Sequence, residues 1–269
     1  LMLLGITVGS TGFESVLNMQ RDPQAMQIVW EIRLPRTAGA WLAGGLLGLA
    51  GAVAQGLFRN PLADPYLLGS ASGASLGVAC AMVLFGVSPL ATHWVARIGL
   101  TGAAFMGAVG AVLLTLLLAK GVQHTLRLLL AGVVVGVVLG ALSSLILLIT
   151  PDIMQAMQSF MLGSTAFVGW TACIVMASTF VASLAAAWMM SHVLDGLALG
   201  EATAQSLGLR LTQMRAALVA VLALATGTAV AQTGLIAFVG LAAPHLVRSV
   251  IKTTHGKLIL LSSLMGATL

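Results

Sequence analysis

Charge is what this sequence has least of. Only 7% of its 269 residues are Asp, Glu, Lys or Arg, against roughly 25% in a soluble domain. So few charges cannot cover the surface of a water-soluble protein of this length. Aromatic residues are scarce too, at 5% with a single tyrosine. The two cysteines, Cys80 and Cys173, each sit inside an apolar run. They read as two small buried apolar residues, with a disulfide between them left open. No GxxxxGK[ST] occurs, so the chain has no phosphate loop of its own and is not itself an ATPase. The 12 Lys/Arg against 7 Asp/Glu are scattered over many short loops, which argues against nucleic acid as a partner. No acidic or basic residue interrupts the long apolar stretches between Thr37 and Ala231. Intramembrane charges mark proton and ion relays, so their absence argues against an ion-coupled carrier.

What the sequence has in quantity is apolar residues, at 59%, together with 31 glycines and a mean hydropathy of +1.07. Within lipid every backbone polar group must be satisfied inside the protein, which leaves helices or closed barrels. The apolar runs are continuous rather than alternating, so the expected fold is all-α, a polytopic transmembrane helical bundle. One transmembrane domain covers 1–269, and both ends look cut, because the chain opens within Leu1–Val8 and stops within Leu258–Leu269.

Eight spans are expected. The first is the tail Leu1–Leu17, followed by an aqueous loop from Asn18 to Glu31. The second, Thr37–Phe58, fills the 22 residues between Arg36 and Arg59, enough for the roughly 20 that a ~30 Å hydrocarbon layer requires. The turn Arg59-Asn60-Pro61-Leu62-Ala63-Asp64-Pro65 stops it near Phe58, because proline lacks a donor and biases its predecessor away from helix. The third is Tyr66–Val87, followed by a loop at Ser88–Arg97; the fourth is Ile98–Ala119; the fifth is Leu128–Ile149, with Gly132, Gly136 and Gly140 along one face. Thr150–Phe160 leaves the hydrocarbon, and its Met154, Met157 and Met161 recur at helical spacing. They suit either a soft lining for an apolar cargo or an interfacial helix packed on the spans. The sixth span is Ala166–Met190 and the seventh Ala216–Ala231. Between them Ser191–Arg215 is the longest polar loop, with a short helix after Gly200 stopped by Gly208. Gly234–Val247, with Pro244, is too short to span and reads as a broken segment. The eighth span begins at Lys257. The tetrapeptide Ala52–Gln55 recurs as Ala229–Gln232 on spans that would cross in opposite directions, the pattern of an inverted repeat.

Five motifs, in order, resemble one family. They are RLPR (33–36), GAVAQGLFRNPLADPYLLG (51–69), LRLLLAGVVVG (126–136), LALGEATAQSLGL (197–209) and GLIAFVGLAAPHLVR (234–248). Together they cover nearly the whole chain. The sequence is similar to the permease subunits of binding-protein-dependent ABC importers for cobalamin, ferric siderophores and haem. The resemblance implies a homodimer of ten-span permeases in the cell inner membrane, two cytoplasmic ATPase subunits that hold ATP and Mg, and a periplasmic binding protein that delivers cargo. No cofactor or metal is then bound by this chain.

The resemblance also assigns residues. Leu199, Gly200, Glu201, Ala204, Leu207 and Gly208 match the family's ATPase-contacting loop. Thr125 and Leu126 fall at the cytoplasmic gate, and Gly132, Val135 and Gly136 along the pathway wall. The family topology puts 18–36, 88–97, 150–165 and 233–257 outside, with seven of the 12 cations, against five on the inner loops. The positive-inside rule prefers the reverse. Arg33, Arg36 and Arg248 are then expected to meet acidic residues of the binding protein. Haem or a ferric siderophore is the expected cargo, with cobalamin as the alternative. A secondary transporter and a structural subunit without a pathway are the competing functions.

Overall fold

The computed structural model describes residues 23–86, 94–122 and 124–269, and before them Gly5 and a two-residue antiparallel pairing of Val8–Gly9 with Gly12–Phe13. Beyond that pairing, the regular structure of the described residues is helical. Pro23–Ile28 (α1) passes through a π-helical turn, Val29–Arg33, into α2, Leu34–Phe58. The expected aqueous loop up to Glu31 is therefore helix from Pro23 onward. Proline at the first helical position sacrifices no hydrogen bond, and the apolar Met26, Ile28, Val29 and Trp30 that follow extend the run.

Next come α3, Ser70–Phe85; α4, Trp94–Leu118; α5, Thr125–Ile149; and α6, Met154–Leu162. They are followed by α7, Trp170–Met189; α8, Ser191–Ala198; α9, Glu201–Ser206; and α10, Leu211–Thr233. The last two are α11, Val239–Val250, and α12, His255–Thr268. Among the described residues, five helical stretches are long and apolar enough to cross a membrane: Ala25–Phe58, Ile98–Leu118, Thr125–Ile149, Trp170–Met189 and Leu211–Thr233. The third expected span is a helix of 16 residues, because Tyr66–Gly69 belongs to the turn before it. Of the expected loop at 88–97, residues 88–93 lie outside the described residues, and α4 already begins at Trp94. Most of the expected first span lies outside them as well.

The turn after α2 closes as its prolines predict. Arg59 takes a left-handed conformation (φ 51°), and its amide donates back to the carbonyls of Gln55 and Gly56. Asn60 Oδ1 accepts the Leu62 amide at 2.9 Å, and Asp64 Oδ1 accepts the Tyr66 amide at 2.7 Å. These are two side-chain-closed turns in succession. Thr115 of α4 donates to the Leu68 carbonyl, and the Tyr66 hydroxyl donates to the Ile236 carbonyl, so the turn is tied to two distant elements.

Helix α2 is the core of the bundle. Ala43 to Phe58 are all buried, with α7, α10, α11 and α12 packed around them. In lipid there is no hydrophobic force between apolar helices, so close packing of small residues does the holding. The α2–α12 seam shows this. Gly44 and Gly48 lie against the backbone of Gly266 and Ser262, and a methyl group at either glycine would collide with a carbonyl oxygen there.

Met157 of α6 is 1% exposed in a second cluster with Val78, Met82 and Val230, whereas Met154 and Met161 face outward. For Met157, then, the packed interfacial reading is the one observed. Cys80 and Cys173 are both free thiols.

Candidate functional site

The polar loop after α7 folds into two short helices joined at an elbow. Gly200 has φ 108° and Gly208 φ 81°, conformations that cost any other residue strain. They bracket α9 as the sequence predicts. Helix α8 buries Val193, Leu194 and Leu197, and α9 buries Ala204 beneath it. Leu199 and Leu207 point outward, 68% and 64% exposed. The elbow therefore has an anchored inner face and an apolar, uncovered tip.

Glu201 belongs to the inner face. Its Oε1 lies 2.7 Å from Arg215 Nη2 and 3.7 Å from Arg59 Nη2, and accepts from the Thr125 hydroxyl at 3.5 Å. Arg215 lies in α10, Arg59 caps α2, and Thr125 opens α5. One carboxylate thus joins the elbow to three helices. The Arg215 side chain is 4% exposed and also donates through Nη1 to the Val122 carbonyl at 3.4 Å. The Arg215 hydrogen bond, helped by the positive charges of Arg215 and Arg59, holds the Glu201 carboxyl below its ordinary value.

Arg215 was expected in the loop. Helix α10 starts at Leu211 rather than Ala216, so a buried cation sits within the helix, and the expectation of uncharged spans fails there. Sequence reasoning also passed over Arg59 as a partner. Its signal was a cation at the end of an apolar run, which several other loops in this chain also show.

The other expected site residues separate. Thr125 joins the Glu201 cluster, and Leu126 beside it is 70% exposed. Gly132, Val135 and Gly136 do not line an open wall. Gly132 packs against the backbone of Leu67 and Leu68, Val135 is 2% exposed against Gly69, and Gly136 lies over Gly69 and Ser72. The open face of α5 is Leu130, Val133, Val134, Val137 and Val138. A cavity of about 990 Å³ lies among α4, α6, α7 and α10, lined by Phe105, Phe160, Phe167 and Thr228 among others. Among the described residues, no α5 residue and no charged side chain borders it.

Arg33 and Arg36 start α2, whereas Glu201 meets the far end of that helix, so these arginines lie at the opposite end of the bundle. There Trp30 and Trp170 pack with ring centroids 5.2 Å apart. Arg248 does not join them. Its guanidinium donates to Gln55 Oε1, and Gln55 Nε2 donates to the Leu241 carbonyl. Gln55 is one turn from Arg59, so Arg248 sits at the Glu201 end, contrary to expectation. The cause is α11, whose 12 residues carry the chain from the Gly51 level of α2 to the Gly56 level, where His255 begins α12. Lys252 and Lys257 move with it. Eight of the 12 cations, Arg59, Lys120, Arg127, Arg210, Arg215, Arg248, Lys252 and Lys257, then gather at the Glu201 end.

Comparisons with known proteins bear on the family and the fold. The sequence profile of the FecCD transport family matches residues 1–269. The uncharacterized ABC transporter permease protein YvrB of Bacillus subtilis is 37% identical over 91% of this chain and 69% of its own length. The vitamin B12 import system permease protein BtuC of Shigella boydii is 36% identical over 100% of this chain and 81% of its own. A solved chain described as an inward-facing conformation of a metal-chelate type ABC transporter superposes with a TM-score of 0.88 at 28% identity, over 99% of this chain and 83% of that one. PsaBC from Streptococcus pneumoniae shares the fold at TM-score 0.63 and 19% identity, over 94% and 82%.

Proposed function

Because the chain belongs to the FecCD transport family, we propose that it is the permease half of an importer whose work is done by a separate ATPase pressing on the Leu199–Gly208 elbow. The observation that carries this is the Glu201 carboxylate, held at 2.7 Å by Arg215 and within reach of Arg59 and Thr125. A push on the exposed Leu199 and Leu207 tip reaches the start of α5 and the end of α2 through that one group. Glu201 is then the inner tie of the elbow. Leu199 and Leu207 are its contact with the ATPase, with Gly200 and Gly208 shaping the bend and Ala204 seating it.

The Glu201 end is the cytoplasmic end of an inner-membrane protein. Two considerations support this: the family resemblance implies a cytoplasmic ATPase partner, and eight of 12 cations collect there, as the positive-inside rule prefers. The opposite end, with Arg36 exposed beside Glu31 and Ile32, receives the binding protein. Opposed charges at such a surface set register and association rate more than affinity. Two copies of the chain, in the family's ten-span, inverted-repeat architecture, enclose the pathway. Its wall is the open valine face of α5, with Thr125 and Leu126 at the gate.

The cargo is a bulky metal chelate, haem or a ferric siderophore. Cobalamin is the second reading, favoured by the BtuC relative. The test is to purify the chain with its ATPase, reconstitute it with its binding protein and measure ATP hydrolysis with haemin, ferrichrome and cyanocobalamin in turn. The proposal expects an iron chelate to stimulate hydrolysis. Stimulation by cyanocobalamin alone would overturn the iron reading, and failure of any ATPase to copurify would overturn the importer reading.

A further inference from the structure

The elbow has a second attachment, on its other side, that the Glu201 cluster does not explain. Asp195 lies in α8, six residues before Glu201. Its Oδ1 accepts the His255 backbone amide at 3.0 Å and the His255 ring Nδ1–H at 2.7 Å. Asp195 is an acceptor only, so the ring must carry its proton on Nδ1 to make the shorter bond. His255 is the first residue of α12, and its amide is one of the orphan donors of that helix end. A carboxylate from another element thus caps α12 and grips its first side chain. The ring is mostly buried, at 16% exposure, and packs over Gly56 in the last turn of α2, where a methyl group would come within 3.1 Å of the ring. Leu194 of α8 comes to the same point of Gly56.

We propose that Asp195 and His255 are a positioning pair that fastens α8 to α12, so that the elbow drives α12 as well as the α5 gate. This rests on the importer reading above. The two ties flank the hinge Leu199–Gly200. Forward of it, Glu201 reaches α2, α5 and α10; behind it, Asp195 reaches α12. Helix α12 is locked to α2 through the Gly44/Gly48–Ser262/Gly266 seam, so movement of its first residue is passed along its length. A tip loaded at Leu199 then has two direct ties, and removing Asp195 leaves α12 coupled only through its seam with α2.

The test uses the full complex with its ATPase, in a background with Cys80 and Cys173 replaced by Ala. A spin label is placed at Leu264→Cys on α12 or at Leu130→Cys on α5, both exposed positions. The signal is read with and without ATP plus vanadate. Nucleotide should shift both labels in the parent. Asp195→Ala should remove at least half of the α12 shift and leave the α5 shift within about a fifth of the parent. Asp195→Asn, which keeps an acceptor oxygen for both bonds, should restore the α12 shift. A full α12 shift in Asp195→Ala overturns the proposal. So does equal loss at both labels in Ala and Asn alike, which would mark Asp195 as needed only for folding. A parent with no nucleotide-dependent shift at either label overturns the importer reading itself, a failure visible before any Asp195 variant is made.

Discussion

At the scale of single residues, Glu201 carries the account. Its carboxylate holds a buried arginine, and removing one partner of such a pair leaves a desolvated charge behind. Because Glu201 is itself 35% exposed, water offsets part of that cost. Glu201→Gln should lower stability by ~1–2 kcal/mol, below the 3–5 kcal/mol of a fully buried pair, as read by thermal unfolding in detergent. Its larger effect should be functional. In vesicles, ATP consumed per chelate imported should rise at least five-fold, while Leu207→Ser should instead reduce the amount of ATPase that copurifies. The pH dependence has a definite sign. A carboxylate held below its ordinary value of 4.5 stabilises the fold above that value and loses the contribution as pH falls through its depressed one. Proteolytic protection of α9 should therefore be flat from pH 8 to 6 as far as this pair is concerned, and fall only in acid below the ordinary carboxylate range. Loss of protection between pH 7 and 6 that Glu201→Gln abolishes would contradict the assignment.

At the scale of elements, glycine plays two different parts, and substitution separates them. Gly48 faces the Ser262 backbone in the α2–α12 seam, whereas Gly110 of α4 has nothing within 4 Å of where a methyl group would sit. Gly48→Val should abolish the folded, monodisperse peak on size exclusion. Gly110→Ala should be neutral or raise stability by up to ~1 kcal/mol, the helix-propensity difference. Gly132→Val should behave like Gly48→Val, because the Leu67 backbone occupies the space. This is also where the sequence was legible and where it was not. The end of α2 at Phe58, the elbow between Gly200 and Gly208 and the brevity of α11 were all readable, because proline and glycine act on the chain locally. The inward turn of Gly132 and Val135 was not, since a glycine stripe looks the same whether it meets a pathway or a neighbouring backbone. Nor was the start of α10 at Leu211. Leu-Thr-Gln-Met-Arg is polar enough to pass for loop until packing buries Arg215 against a carboxylate 14 residues earlier in the chain.

At the scale of the whole molecule, the two ends differ in charge, and the proposal gives each its own task. The fold of α11 moves Arg248, Lys252 and Lys257 to the Glu201 end, and with that end proposed as cytoplasmic the charge count follows the positive-inside rule. Arg36→Glu should weaken capture of the binding protein by about ten-fold in a pull-down while ATPase copurification is unchanged. Arg248→Glu should leave that capture untouched. The measurement that tests the account most directly is a photocrosslinker placed at Leu207 in the assembled complex. A covalent adduct with the ATPase subunit is the predicted result. An adduct with the binding protein, or none with any ATPase that copurifies, would contradict it.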